Sequence, residues 1–157
     1  QTLIACGGLD KTCYVYDLTN NDGLHINGNK SLVASLKEQH NAYISAIKPL
    51  PDFRILTASG DASCVLWDIV KSEPIQTFTS DSSSDFTTME IINTPNESIT
   101  FMTGSVDGYV RIYDLRQKSH IHKFKNGDNY SDVNIIKSFK NNTSFVTGTE
   151  DGKIRFY

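Results

Sequence analysis

The sequence predicts an all-β chain assembled from a repeated four-stranded unit. Two observations predict it. Apolar residues fall in short runs, such as Ile55–Ala58, Cys64–Trp67, Ile99–Met102 and Val110–Tyr113, each bounded by Gly, Asp, Ser or Asn. Runs of that length, rich in β-branched and aromatic residues, read as strands, and no stretch of the chain sustains a helical stripe. The second observation is a recurring turn, an aspartate followed six residues later by an aromatic ring. It occurs at Asp10/Tyr16, Asp61/Trp67, Asp107/Tyr113 and Asp151/Tyr157.

Taken in order, residues 1–36 form a partial unit that begins within its second strand and ends after a polar loop, Asn20–Lys30. Residues 40–78 form a complete unit and 85–124 another, separated by the polar stretch Ser80–Asp85. Residues 132–157 form a partial unit that stops after its third strand. The four turn aspartates are spaced 51, 46 and 44 residues apart, and Gly7, Gly104 and Gly148 stand three residues before three of them, with Ala58 before the fourth. A carboxylate in such a turn bonds backbone amides, which makes Asp10, Asp61, Asp107 and Asp151 structural. One unit cannot bury both its faces alone, so the units must stack side by side. A period of ~40–45 residues with a Trp-Asp signature belongs to the WD-repeat β-propeller. The length of 157 residues would suit one ordinary domain, yet the repeat count makes it a piece of a ring. Both ends are expected to expose strand edges and blade faces, so the isolated piece should aggregate or fold poorly.

The charge balance is 15 basic against 18 acidic residues, net −3. That excludes a strongly basic nucleic-acid binder, and no nucleic-acid partner is expected. No apolar run approaches the ~18 residues of a membrane span, so no direct membrane insertion is expected. Three cysteines, Cys6, Cys13 and Cys64, are too few for a disulfide framework and fit a reducing compartment.

Chemistry finds little support. His120 and His122 sit two apart on a predicted fourth strand, but two imidazoles without a cysteine or carboxylate partner do not make a metal site. The turn aspartates fill one position in four different units and cannot gather into an acid pair or a calcium site. The aspartate-box turn of propeller glycosidases nearly fits Ser59-Gly60-Asp61, but its glycine falls on Ser63 and its tryptophan on Leu66. No Gly-x-Ser-x-Gly elbow or phosphate loop occurs. The expectation is a binding protein with no catalytic residue, cofactor or metal.

The second unit is the fullest WD repeat. Its resemblance to that family implies a hydrogen-bond chain among His40, Ser59, Asp61 and Trp67, in which buried polar groups satisfy one another. In the later units the histidine is missing, with Asp81 and Asp128 nearby, and tyrosine replaces tryptophan. Those units are expected to hold their turns less tightly, although Ser105 and Thr149 still stand two residues before the aspartate.

The run from Thr57 to Ile69, TASGDASCVLWDI, closely resembles the matching blade of heterotrimeric G-protein beta subunits. Ala5-Cys6-Gly7-Gly8-Leu9-Asp10, His40-x-x-Tyr43-Ile44-Ser45 and Ser131-Asp132-Val133-Asn134 fit the same family in the same order. The resemblance runs from Leu3 to Tyr157, is weakest in the two polar loops, and implies part of the second through most of the fifth blade of seven. It implies a scaffold that binds a GDP-bound alpha subunit and a gamma subunit and couples a membrane receptor to downstream effectors. The implied location is cytoplasmic, at the inner face of the plasma membrane through these partners. The implied alpha-facing residues are Leu9, Lys11, Tyr43, Asp85, Asp132, Asn134 and Glu150. Family members tend to have Asn at Lys11, Asp at Glu150 and Met at Thr87.

The residues themselves argue for one surface. Leu9 and Glu150 immediately precede turn aspartates, as do Gly60 and Val106, while Tyr43, Asp85 and Asp132 begin the first strands of their units. Second-to-third-strand turns and first-strand starts share one end of a blade, so all should converge on one rim. Tyr43 and Leu9 would supply an apolar anchor, and Asp85, Asp132 and Glu150 an acidic arc complementary to Lys or Arg. A different WD-repeat adaptor, such as a ubiquitin-ligase substrate receptor, is the alternative. A heptad-patterned helix upstream of Gln1 is expected of a beta subunit and would discriminate the two.

Overall fold

Four antiparallel sheets follow one another along the chain in a computed structural model that describes residues 2–19, 32–93, 98–127, 130–139 and 144–157. The Asn20–Lys30 loop and Asp128 lie outside the described residues. The first sheet holds β1 (Leu3–Gly7), β2 (Cys13–Asp17) and β3 (Leu32–Leu36). The second is a meander of β4 (Ile44–Leu50), β5 (Arg54–Ser59), β6 (Ser63–Asp68) and β7 (Glu73–Thr79). The third repeats it with β8 (Phe86–Asn93), β9 (Ile99–Ser105), β10 (Tyr109–Asp114) and β11 (His120–Lys125). The fourth holds β12 (Val133–Ser138), β13 (Phe145–Thr149) and β14 (Ile154–Phe156). The chain is all-β, and its sheets are consecutive blades of a partial propeller, as the repeat predicts. Among the described residues no helix is long and apolar enough to cross a membrane.

The repeated turn is the same object four times. The residue after each aspartate adopts the left-handed region, with φ of 64° at Lys11, 64° at Ala62, 75° at Gly108 and 74° at Gly152. Its amide donates to the carbonyl three residues back, in Lys11 N–H to Gly8, Ala62 to Ser59, Gly108 to Ser105 and Gly152 to Thr149, at 3.0–3.3 Å. The carboxylate accepts from the amide two residues on in every blade: Thr12 to Asp10 (3.3 Å), Ser63 to Asp61 (3.0 Å), Tyr109 to Asp107 (3.2 Å) and Lys153 to Asp151 (3.4 Å). Glycine suits that position in two blades, whereas Lys11 and Ala62 occupy it against the usual steric preference of a Cβ.

Three apolar clusters hold the blades together, one at each junction. Cys13, Val15, Ala34 and Leu36 of the first blade pack on Ile44, Ile55, Val65 and Trp67 of the second. Leu56, Ala58, Cys64 and Phe78 of the second meet Phe86, Met89, Phe101 and Tyr113 of the third. Met102 and Val110 meet Val133 and Ile136 of the fourth. Each fully buried large side chain contributes ~1.5–3 kcal/mol, so these seams dominate cohesion. Gly7, Ala58 and Gly104, each three residues before its turn aspartate, lie in these seams. A Cβ on Gly104 would stand 2.6 Å from Val133, and one on Gly7 would stand 3.1 Å from Ile44. The end blades keep exposed apolar side chains, among them Ile4 on β1 and Ile154 and Phe156 on β14.

The innermost strands β4, β8 and β12 lie side by side. Glu90 on β8 ties the three together: Lys48 Nζ of β4 donates to its carboxylate at 2.5 Å and Lys137 Nζ of β12 at 3.2 Å.

A candidate protein-binding rim

The rim is organised by a backbone bond that recurs blade by blade. The residue before the turn aspartate donates its amide to the carbonyl of the residue that opens the innermost strand. These bonds are Gly60 to Tyr43 (3.0 Å), Val106 to Asp85 (3.1 Å) and Glu150 to Asp132 (3.0 Å). Turn and strand start are therefore locked together at one end of each blade, which is the geometry the offsets imply. The first blade joins through Ile44, whose amide donates to Gly8 at 3.0 Å and brings the Leu9 turn beside Tyr43.

On this rim, Tyr43 reaches across the blade boundary and donates its phenol O–H to Asp85 Oδ2 at 3.0 Å. The phenol pKa is pushed up, by burial first, then by the hydrogen bond to Asp85 and the negative charges of Asp85 and Asp132. Tyr43, Asp85 and Asp132 thus share one electrostatic neighbourhood and are all partly buried. Leu9 is 87% exposed, an apolar side chain with no cover. Lys11, Asn134 and Glu150 are exposed on the same turns and strand start, and their side chains are not drawn into the Tyr43–Asp85 pair. Thr87, at the next inward place, bonds the carbonyls of Gly104 and Val133 and so faces the seam to the fourth blade.

Beneath the rim, the second blade carries a buried polar chain whose membership differs from the expected one. Trp67 Nε1 donates to Thr57 Oγ1 at 2.9 Å, and His40 Nε2 meets the same hydroxyl at 2.7 Å. His40 Nδ1 lies 3.1 Å from Ser63 Oγ, which donates to Asp61 Oδ1 at 2.5 Å. Ser59 stands aside: its hydroxyl donates to the Ala42 carbonyl and accepts from the Asp61 amide, both at 3.2 Å. The links are Thr57 and Ser63: Ser59, two residues beyond Thr57 on the same face of β5, stands at the end of the strand, where its hydroxyl bonds the turn backbone instead. Burial raises the Asp61 carboxyl, but bonds from His40, Ser63 and the Asn41 amide outweigh it and hold it well below the usual carboxylate range.

The third blade does not hold its turn loosely, contrary to expectation. Arg111 on β10, fully buried, fills the place of Val65 and uses all five of its N–H donors. Nε donates to Asp81 (2.7 Å), Nη1 to Ser105 (2.8 Å) and Asp107 (3.2 Å), and Nη2 to Asp107 (2.6 Å) and Ser82 (3.1 Å). Asp107 is lowered to about 2: burial opposes this, and bonds from Arg111, Ser105 and Ser82 win. Tyr113 takes the tryptophan's place and stacks on Phe101 with ring centroids 4.9 Å apart.

The fourth blade rebuilds the chain with an amide. Asn126 Oδ1, buried at the blade junction, accepts from Thr147 Oγ1 (2.9 Å) and Tyr157 O–H (2.6 Å), so Asn126, Thr147 and Tyr157 stand where His40, Thr57 and Trp67 do. Arg155 repeats Arg111 in weaker form, donating to Thr149 Oγ1 at 2.8 Å and lying 3.4 Å from Asp151. Sequence reasoning missed Arg111, Arg155 and Asn126. Arg111 and Arg155 each follow their turn aspartate by four, a readable signal. Asn126 had none, because the loop before each blade varies in length.

His120 on β11 meets the Tyr113 ring edge-on, with centroids 6.1 Å apart. Among the described residues no group of three His, Cys, Asp or Glu side chains gathers to hold a metal. Cys13 and Cys64 are buried and Cys6 is exposed. Burial pushes the Cys13 thiol up to about 12, with Cys6 adding to the effect.

Comparison with known proteins matches the family described as "WD domain, G-beta repeat" to residues 30–68 and 72–114. The chain is 36% identical over 137 residues to the guanine nucleotide-binding protein subunit beta of Saccharomyces cerevisiae, covering 85% of this chain and 30% of that protein. It is 34% identical to the subunit of the same name from Oryza sativa subsp. indica and 35% identical to that of Zea mays, each covering 83% of this chain and 34% of the relative. The chain spans about a third of the length of these curated relatives.

Proposed function

The chain belongs to the WD domain, G-beta repeat family, and from that premise we propose that it is part of a heterotrimeric G-protein beta subunit whose rim binds the GDP-bound alpha subunit. The observation that carries this reading is the Tyr43–Asp85 pair, held across a blade boundary with Asp132 beside it. A ring, a run of carboxylates and the exposed Leu9 give an apolar anchor within an acidic arc, which suits a partner surface bearing Lys or Arg. The similarity to proteins named guanine nucleotide-binding protein subunit beta supports the same assignment.

In this reading the protein is a scaffold and not an enzyme. It pairs with a gamma subunit, couples a receptor to downstream effectors, and works at the inner face of the plasma membrane through its partners. Tyr43→Ala and Asp132→Ala, made in the complete protein, are expected to weaken binding to an immobilised GDP-bound alpha subunit by ~1–3 kcal/mol each with the melting temperature unchanged. Unaltered affinity in folded variants would sink the assignment and favour a different WD-repeat adaptor.

A further inference from the structure

Three blades present the same pair of rim positions, the residue before the turn aspartate and the residue that opens the innermost strand, joined by the same amide-to-carbonyl bond. The pairs are Gly60 with Tyr43, Val106 with Asp85, and Glu150 with Asp132. Where the strand opens with a short aspartate, the turn carries a side chain. Where it opens with a tyrosine, the turn carries none. The geometry gives the reason. A Cβ built on Gly60 would stand 2.4 Å from Cε1, 2.8 Å from Cζ and 2.9 Å from Cδ1 of Tyr43, so the ring lies flat against the bare backbone of the turn. No positive φ is needed at Gly60, unlike its neighbour Ala62. Backbone freedom therefore does not demand glycine here; the space for the ring does.

We infer that Gly60 is a positioning residue for the partner-binding rim: its missing side chain forms the shelf on which Tyr43 lies with its phenol aimed at Asp85. The inference rests on the reading of this rim as the alpha-subunit surface. Any side chain at position 60 lifts the ring, because the atoms it meets are rigid aromatic carbons rather than the end of a flexible chain. Lifting it separates the phenol from Asp85 and changes the shape of the apolar anchor in one step. Gly60 itself need not touch the partner.

A double-mutant cycle in the complete protein, with GDP-bound alpha subunit as the probe, tests this. Gly60→Ala is expected to weaken binding about tenfold, within the range of a displaced hot spot. In a Tyr43→Ala background the same change should have less than about a twofold effect, because there is no ring left to lift. An equal loss in both backgrounds, or no loss beside wild-type Tyr43, overturns the inference. The positioning is also read without the partner, from the Tyr43 Cζ resonance of tyrosine-labelled protein. Gly60→Ala should shift it in the direction seen with Asp85→Asn, and an unmoved resonance overturns the inference whatever the binding data say. A moved resonance together with unaltered binding in Tyr43→Ala would leave the shelf standing and remove the alpha-subunit reading instead.

Discussion

The second and third blades build one turn on two different supports. In the second, an imidazole, two hydroxyls, an indole and a single carboxylate satisfy one another in a chain from Trp67 to Asp61. In the third, a fully buried guanidinium bridges Asp107 in the turn and Asp81 in the preceding loop. The turn conformation is the same, since Ala62 and Gly108 share the left-handed region and Asp61 and Asp107 accept the same amide bond. In both of these blades a buried donor faces the turn carboxylate, and the chemical identity of that donor differs. The cost of losing it is not the same, because a stranded charge is harder to bury than a stranded hydroxyl.

That contrast sets the order of expected effects. Arg111→Met should be the most damaging, lowering stability by about 3 kcal/mol in a denaturant titration of the complete protein, because Asp107 keeps its charge without its cationic partner and is left with only Ser82, Ser105 and the Tyr109 amide as donors. Adding Asp107→Asn to it should recover part of the loss; a double variant worse than the single would mean the ion pair is not what holds the turn. Asp61→Ala should cost ~1–3 kcal/mol, visible as a lower melting temperature, since His40, Ser63 and the Asn41 amide lose an acceptor. A stable Asp61→Ala protein would break the proposed equivalence of the two supports.

Acid should reveal the same difference. Unfolded aspartates titrate near ~4, and the folded values of Asp61, Asp81 and Asp107 are lowered. A depressed folded value means the stabilisation is complete above the unfolded pKa and is lost as pH falls through the folded one. For Asp107 that loss should run from about pH 4 down to about 2. Melting temperatures across that window should fall less steeply in the Arg111→Met/Asp107→Asn double variant than in the parent. The smallest effect is expected at the turn itself. Ala62→Gly relieves a left-handed Cβ but adds freedom to the unfolded chain, so stability should change by less than about 1 kcal/mol, measured by the same titration.

Much of the blade was legible because it is made locally. The turn aspartates and the aromatic six residues later are bound within a few positions of one another, so the spacing shows them directly. The left-handed residue after each aspartate was not legible where it is Lys11 or Ala62. Gly104 and Gly148 were legible as a pattern, but their reason was not: the atom that excludes a Cβ at Gly104 belongs to Val133 in the next blade. The polar chain was only partly legible. Trp67, His40 and Asp61 are legible in it, whereas the role expected of Ser59 is performed by Thr57 and Ser63: Thr57 and Ser59 share a strand face, and only the packed position of the His40 ring decides which hydroxyl it meets. On the rim, the offsets brought Tyr43, Asp85 and Asp132 to one end of their blades, but the bond from Tyr43 to Asp85 spans two blades and leaves no trace in spacing.

The sequence by itself determined the all-β class, the repeat, the turn and the rim positions, all of which follow from backbone preferences and periods of two and of about forty residues. The tertiary structure alone decided which groups complete each turn and which ring rests on which glycine. Asp81 meets Arg111 and Asn126 meets Tyr157 only after variable loops have closed, and Tyr43 meets Asp85 only after blades have stacked. Such contacts depend on where a blade's neighbour lies in space, and no fixed offset along the chain encodes that.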